Sequence, residues 1–164
     1  MKIFVGTILA ILILAGTSCQ IAVNVEKEKE AILAVLEEES AAMLAMDKER
    51  VFALHVKDDL ETRLELGEYG FNTYSGWEEV SGLLGDALSG DGRLIGSNAV
   101  NRKENVIMKV TGNTAWLTCD NIWEWTMDGT IGGYSNIQVT FLEKIKGEWK
   151  ISFAAYYSKS LPNP

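Results

Sequence analysis

From Arg93 to Ser158 the chain runs through long stretches rich in Val, Ile, Thr, Trp and Tyr, separated by Gly112-Asn113, Asp128-Gly129 and Lys146-Gly147. Two-residue turns of this kind carry the backbone twist that neighbouring antiparallel strands require, so β-rich stretches joined by them pair as successive hairpins. The second half of the chain is therefore expected to form an antiparallel meander of about four strands.

Alternation then assigns faces. Between Thr114 and Met127 one face carries Ala115, Leu117, Cys119, Asn121, Trp123 and Trp125, and the other carries Trp116, Asp120 and Glu124. The first set is expected to face inward. In the last strand, Trp149, Ile151, Phe153, Ala155 and Tyr157 share one side, against Lys150, Ser152, Ala154 and Tyr156. Asn121 is a polar residue in an apolar row, so burial obliges it to find a protein partner, a water or a ligand. Trp116 and either Phe141 or Leu142 fall on opposite faces, and a sheet with two apolar faces calls for a covering partner. A homodimer through the sheet is the expectation.

The first half has helical periodicity. Glu26-Lys-Glu-Lys-Glu30 places acids at the positive end of a helix, and Ile32, Val35, Leu36, Ser40, Met43 and Met46 recur at its spacing. Asp47 is a candidate N-cap for a second helix that carries Val51, Phe52 and Leu54 and reaches His55. Leu60 to Leu66 alternates, with Leu60, Thr62, Leu64 and Leu66 on the side expected to be buried and Glu61, Arg63 and Glu65 facing out. A loop is expected from Gly67 to Tyr74. Ser75-Gly-Trp-Glu78 reads as a capping box opening a third helix on Val80, Leu83, Leu84 and Leu88.

Helices gathered to one face of an antiparallel sheet make an α+β fold. The element order, with Ala115-Trp-Leu at a strand start and Thr140-Phe-Leu-Glu-Lys-Ile-Lys-Gly-Glu-Trp-Lys-Ile151 near the end, resembles the nuclear transport factor 2-like superfamily, in particular its SnoaL-like and ketosteroid-isomerase-like branch. The resemblance covers residues 26–158. It implies three N-terminal-half helices on a curved, cone-shaped, cystatin-like sheet that encloses a pocket.

At the N-terminus, Lys2 precedes an apolar run from Ile3 to Ala15, too short to span a bilayer core of about 30 Å as a helix. Gly16-Thr17-Ser18 before Cys19 resembles a bacterial lipobox, with Gly where Leu is usual. Residues 1–18 are accordingly expected to be a secretion signal, Cys19 a lipidation site, residues 19–25 a tether and 159–164 a tail, which places the domain in the cell envelope, either periplasmic or outer-surface. Loss of Lys2 with the leader leaves 14 basic and 23 acidic side chains, a net charge of -9 that excludes a phosphate-binding basic face and hence nucleic acid. Cys119, among apolar neighbours, reads as a small buried side chain.

For function, large aromatics with one polar atom suit an apolar pocket, and Trp77, Asn121, Trp123, Trp125, Phe153 and Tyr157 are the candidate lining. The isomerases of the resembled branch imply a carboxylate base on the first strand with Tyr and Asp oxyanion donors, and this set is not matched. His55 with Asp58 or Asp59 is the candidate acid–base pair. The expectation is a lipid-anchored protein that binds a small apolar or amphipathic molecule without transforming it, with no metal and no cofactor. An isomerase, dehydratase or hydrolase built on His55 and Asp58 is the first alternative, and a dimeric protein-interaction module the second.

Overall fold

Each of the three turn signals closes a hairpin. Strands β3 (Val100–Thr111), β4 (Thr114–Met127), β5 (Thr130–Ile145) and β6 (Glu148–Ser158) follow one another in antiparallel register. Lys146 and Gly147 both hold positive φ (53° and 89°), the pair of left-handed residues that a tight hairpin of matching twist demands. These are features of a computed structural model that describes residues 24–67, 70–89, 98–127 and 129–158. The expected leader, Cys19, most of the tether and the tail lie outside the described residues.

The first half adds α1 (Val25–Leu44), α2 (Lys48–Ala53), β1 (Thr62–Gly67), β2 (Gly70–Ser75) and α3 (Trp77–Ser89). Asn24 caps α1 by accepting from Lys27 N at 3.2 Å, and Asp47 caps α2 from Arg50 N at 3.1 Å. The carboxylate that reaches back from α3 is Glu79 rather than Glu78, accepting from Ser75 N at 2.9 Å. The sheet order is β2-β1-β6-β5-β4-β3. It is a mixed sheet rather than a purely antiparallel one, because β1 runs parallel to β6.

The segment expected to be a loop after Gly67 contains β2, paired with β1 from Thr62↔Ser75 to Gly67↔Gly70. Its side chains are mostly exposed, so no hydrophobic period marks it. Backbone pairing at a sheet edge needs no apolar face.

Two expected faces are corrected. Glu61 is 2% exposed and Leu60 is 85% exposed. The row Glu61, Arg63, Glu65 faces the helix-covered side, while Thr62, Leu64 and Leu66 lie beside Phe153, Ala155 and Tyr157 on the other side. In β6, Leu142 pairs with Ile151 and Phe141 with Phe153, so Ser152 is an extra residue. A bulge of one residue reverses the alternation beyond it. Trp149 and Ile151 therefore point inward, as do Ala154 and Tyr156, whereas Phe153 and Tyr157 point outward.

Ile32 and Leu36 of α1 pack on Ala115, Leu117, Leu142, Trp149 and Ile151. Burying such side chains contributes about 1.5–3 kcal/mol apiece. A second cluster, Ala42, Val51, Val80, Leu84 and Leu88, joins the three helices. Glu28 locks the first turn of α1 to the last hairpin, accepting from Lys144 Nζ at 2.6 Å and Trp149 Nε1 at 2.7 Å. Cys119 is a free buried thiol, and burial pushes it up to about 11. The outer sheet face carries Trp116, Ile137, Phe141 and Tyr157, with Phe141 edge-on to Phe153 at 5.5 Å. Phe141 is thus the outward residue of its pair and Leu142 the inward one.

Candidate acid–base site

The helix-covered face of the sheet changes character along the strands. At the hairpin end it is apolar, through Leu142 and Ala115. Its centre is polar, with Thr140, Gln138, Asn136 and Asn121 all buried. Its far end is aromatic: Trp123 stacks on Tyr134 at 6.4 Å, and Trp125 meets the same ring edge-on at 6.0 Å. Trp125 lies so close over Gly132 that a Cβ there would sit 2.6 Å from Nε1. Glycine at that position makes room for the indole.

His55 enters the polar centre from the side. Residues 54–56 form a short parallel bridge with β6, where Val56 N donates to Ile151 O and Ile151 N donates to Leu54 O, each at 2.8 Å. This fixes the backbone on both sides of the buried imidazole. Nδ1 is hydrogen-bonded to Glu61 Oε1, and Nε2 lies 3.5 Å from Glu39 Oε1 of α1. That second distance is an ion-pair separation without a formed hydrogen bond, and Nε2 has no hydrogen-bond partner among the described residues. Glu61 Oε2 and Arg63 Nε are likewise buried without one. Arg63 lies with its guanidinium 4.5 Å from the centre of the Tyr156 ring, and its Nε is 3.4 Å from Glu65 without hydrogen-bond geometry.

The charges are set by this packing. Burial disfavours the imidazolium, but the neighbouring carboxylates of Glu39 and Glu61 outweigh it and raise the His55 pKa above its ordinary value. Burial also opposes the Glu39 carboxylate, yet His55, Arg63 and Lys103 together hold its pKa below the usual value. For Glu61 burial prevails over His55, and its pKa rises. The result is a proton-rich His–Glu pair facing an ionised carboxylate, with an orienting bond on one ring nitrogen and no hydrogen bond on the other among the described residues.

Asp58 does not touch His55. Its Oδ1 accepts from Leu60 N at 2.8 Å and from Glu61 N at 3.1 Å, so it shapes the turn that delivers Glu61. Trp77 meets the imidazole at 6.1 Å and Phe52 at 4.9 Å, covering the pair from the mouth of α3. Asn121 accepts from Asn101 Nδ2 at 2.7 Å and donates to Asn136 Oδ1 at 3.1 Å, so its amide is satisfied within the protein. Trp123 and Trp125 lie on the inner face, while Phe153 and Tyr157 do not. Glu39, Glu61, Arg63, Gln138 and Tyr156 are the centre's additional members. Glu39 could have been found from its position three and seven residues after Leu36 and Ile32, on the buried stripe of α1. Gln138 donates to Thr140 Oγ1 at 2.9 Å and to Tyr156 Oη at 3.4 Å, closing the network toward Arg63.

No family profile and no curated protein matches the sequence. Solved structures do match. A cystatin-fold, nuclear transport factor 2-like protein from Novosphingobium aromaticivorans superposes with a TM-score of 0.64 at 16% identity, covering 82% of this chain and 83% of that one. A Streptomyces avermitilis protein of the same family, provisionally named a dehydratase, gives 0.66 at 16% identity over 83% and 99%. The association domain of C. elegans CaMKII gives 0.63 at 14% identity over 80% and 95%. At these identities the likeness carries architecture and not chemistry: the chain has the nuclear transport factor 2-like, cystatin-like α+β fold, three helices packed on a curved, unclosed sheet.

Proposed function

We propose that the domain is an acid–base catalyst of the dehydratase or isomerase type, acting on a small molecule with hydroxyl or carbonyl groups. The observation that carries this is the buried imidazole, bonded through Nδ1 to Glu61 and presenting Nε2 unpartnered to the polar centre. A raised pKa equips His55 to give a proton to a departing hydroxyl or a carbonyl oxygen, and Glu39 stabilises the imidazolium that returns. Arg63 and Tyr156 supply positive charge and a hydroxyl where oxyanion character develops. The provisional dehydratase name of a structural neighbour is consistent with this chemistry. A wholly apolar ligand is disfavoured, because it would leave His55 Nε2, Glu61 Oε2 and Arg63 Nε without partners.

The test is proton NMR in D2O with a panel of β-hydroxy ketones, hydroxy acids and cyclic ketones, following water loss and exchange at the carbon beside the carbonyl. Wild-type turnover is expected to fall by about 100-fold or more in His55→Gln, the usual scale of a lost acid–base group. Turnover equal in the two proteins would reject the role. A ligand held by the aromatic end without conversion would leave the binding-only reading standing instead.

Export with acylation at Cys19, and a homodimer through the outer sheet face, complete the proposal. The exposed Trp116, Ile137 and Phe141 support the second part, as does the likeness to an association domain. Fatty-acid labelling lost in Cys19→Ser and a dimeric mass by ultracentrifugation are the expected results. An unlabelled chain or a monomer removes the corresponding half.

A further inference from the structure

A cavity lies between α1 and the edge strand β3, and His55 is not among its lining residues. It is a cleft of about 370 Å³, with Leu33, Ala41 and Leu44 on the helix side and Val106 on the strand side. Its strand wall exists because β3 slips register between Glu104 and Ile107, so that Asn105, at φ 51°, and Val106 bulge out of the ladder with β4. Bulges re-aim side chains in this way at sheet edges.

At its inner end sits Lys103, half-buried. Nζ donates to Ser40 Oγ and to Asn101 Oδ1, each at 2.7 Å. Both acceptors are neutral, and among the described residues no carboxylate lies within ion-pair distance of this ammonium. An ammonium carries three donors, so the two bonds leave one for a further acceptor. Desolvation lowers the Lys103 pKa despite the attraction of Glu39 and Glu37, which is the behaviour of a cation with no carboxylate in contact. Arg102, also on the cleft wall, is engaged with Glu124 and Glu104. Glu37 also lines the cleft, but it is exposed, where water screens its charge.

We propose that this cleft binds a small amphipathic carboxylate, its headgroup on Lys103 Nζ and its aliphatic body along Leu33, Ala41, Leu44 and Val106. The headgroup supplies a counter-charge in direct contact with the ammonium, and the walls bury the chain. The ligand touches none of the acid–base residues, and although Lys103 also helps to hold Glu39 ionised, decanoate binding is read apart from turnover.

The experiment is calorimetric titration of the full chain with decanoate and with decanol, both below their aggregation limits, paired with methyl NMR. Decanoate is expected to bind at least tenfold more tightly than decanol and to shift the methyl signals of Leu33, Leu44 and Val106. Lys103→Met weakens decanoate by about 10- to 100-fold, the scale of a charge-assisted hydrogen bond, and spares decanol. Ala41→Trp, which fills the cleft, weakens both. If Lys103→Met does not fold, Leu44→Asp tests the same headgroup by repulsion and is expected to weaken decanoate more than decanol. Absence of decanoate binding, equal affinity for the two ligands, undiminished binding in Lys103→Met, or methyl shifts confined to residues outside the cleft would each overturn the proposal.

Discussion

Replacing His55 with alanine is expected to lower the free energy of unfolding by about 3–5 kcal/mol, the cost of removing one partner from a buried ion pair. The side chains of His55 and Glu61 are each 2% exposed and that of Glu39 is 8% exposed, so water cannot take over the role of the imidazole without opening the domain. In the variant two carboxyl groups share a desolvated site with the counter-charge between them gone. Charge repulsion and desolvation then act together, and at least one group must take up a proton. Adding Glu39→Gln to His55→Ala should recover part of the loss, because groups in one network are not additive. Urea unfolding followed by tryptophan fluorescence measures both. A loss below about 1 kcal/mol for His55→Ala would mean that the buried triad holds little of the fold together.

The second large effect is on the pH dependence of stability. The folded His55 pKa is raised above 6.5, so its contribution is fully present below that pH and disappears as pH rises through the folded value. Glu61, also raised, binds its proton more tightly in the folded state and acts in the same direction from 4.5 upward. Glu39 is lowered, and its contribution is present above 4.5 and lost as pH falls through its folded value. Stability should therefore peak in mildly acid solution and decline on the alkaline side, by about 1.4 kcal/mol for each unit by which the folded His55 value exceeds the unfolded one. The pair titrates as a unit, so the midpoint belongs to His55 and Glu61 together. Melting temperatures from pH 4 to 9 measure this, and His55→Gln should flatten the alkaline limb. A wild-type curve that rises through pH 8 would contradict the assignment.

Most of the architecture was legible because hydrophobic period and turn chemistry are local. The α1 stripe, the Asp47 cap, the four meander strands and the inward row of β4 could all be read from neighbouring residues. Trp77 stands out as a pocket candidate and His55 as an acid–base candidate, and only the fold brings the two rings to 6.1 Å. Asp58 was misjudged because nearness in sequence suggested contact. Its carboxylate instead bonds two backbone amides and so presents Glu61 to the imidazole.

What only the tertiary structure decided are the faces of the two strands that build the site. Alternation in Leu60–Leu66 separates two sets of side chains, but which set is inward depends on β1 lying parallel to β6, a pairing between segments about 90 residues apart. In β6 the extra residue at Ser152 leaves no mark in the composition and still reverses every side chain after it, bringing Tyr156 in and sending Phe153 and Tyr157 out. An α+β chain with a four-strand meander and an inward row on β4 follows from local patterning alone, because period and turn geometry act over a few residues. The polar centre formed by Glu39, His55, Glu61 and Arg63 was decided by long-range register, which brings charges from α1, the bridge at His55 and β1 together where no local pattern requires them to meet.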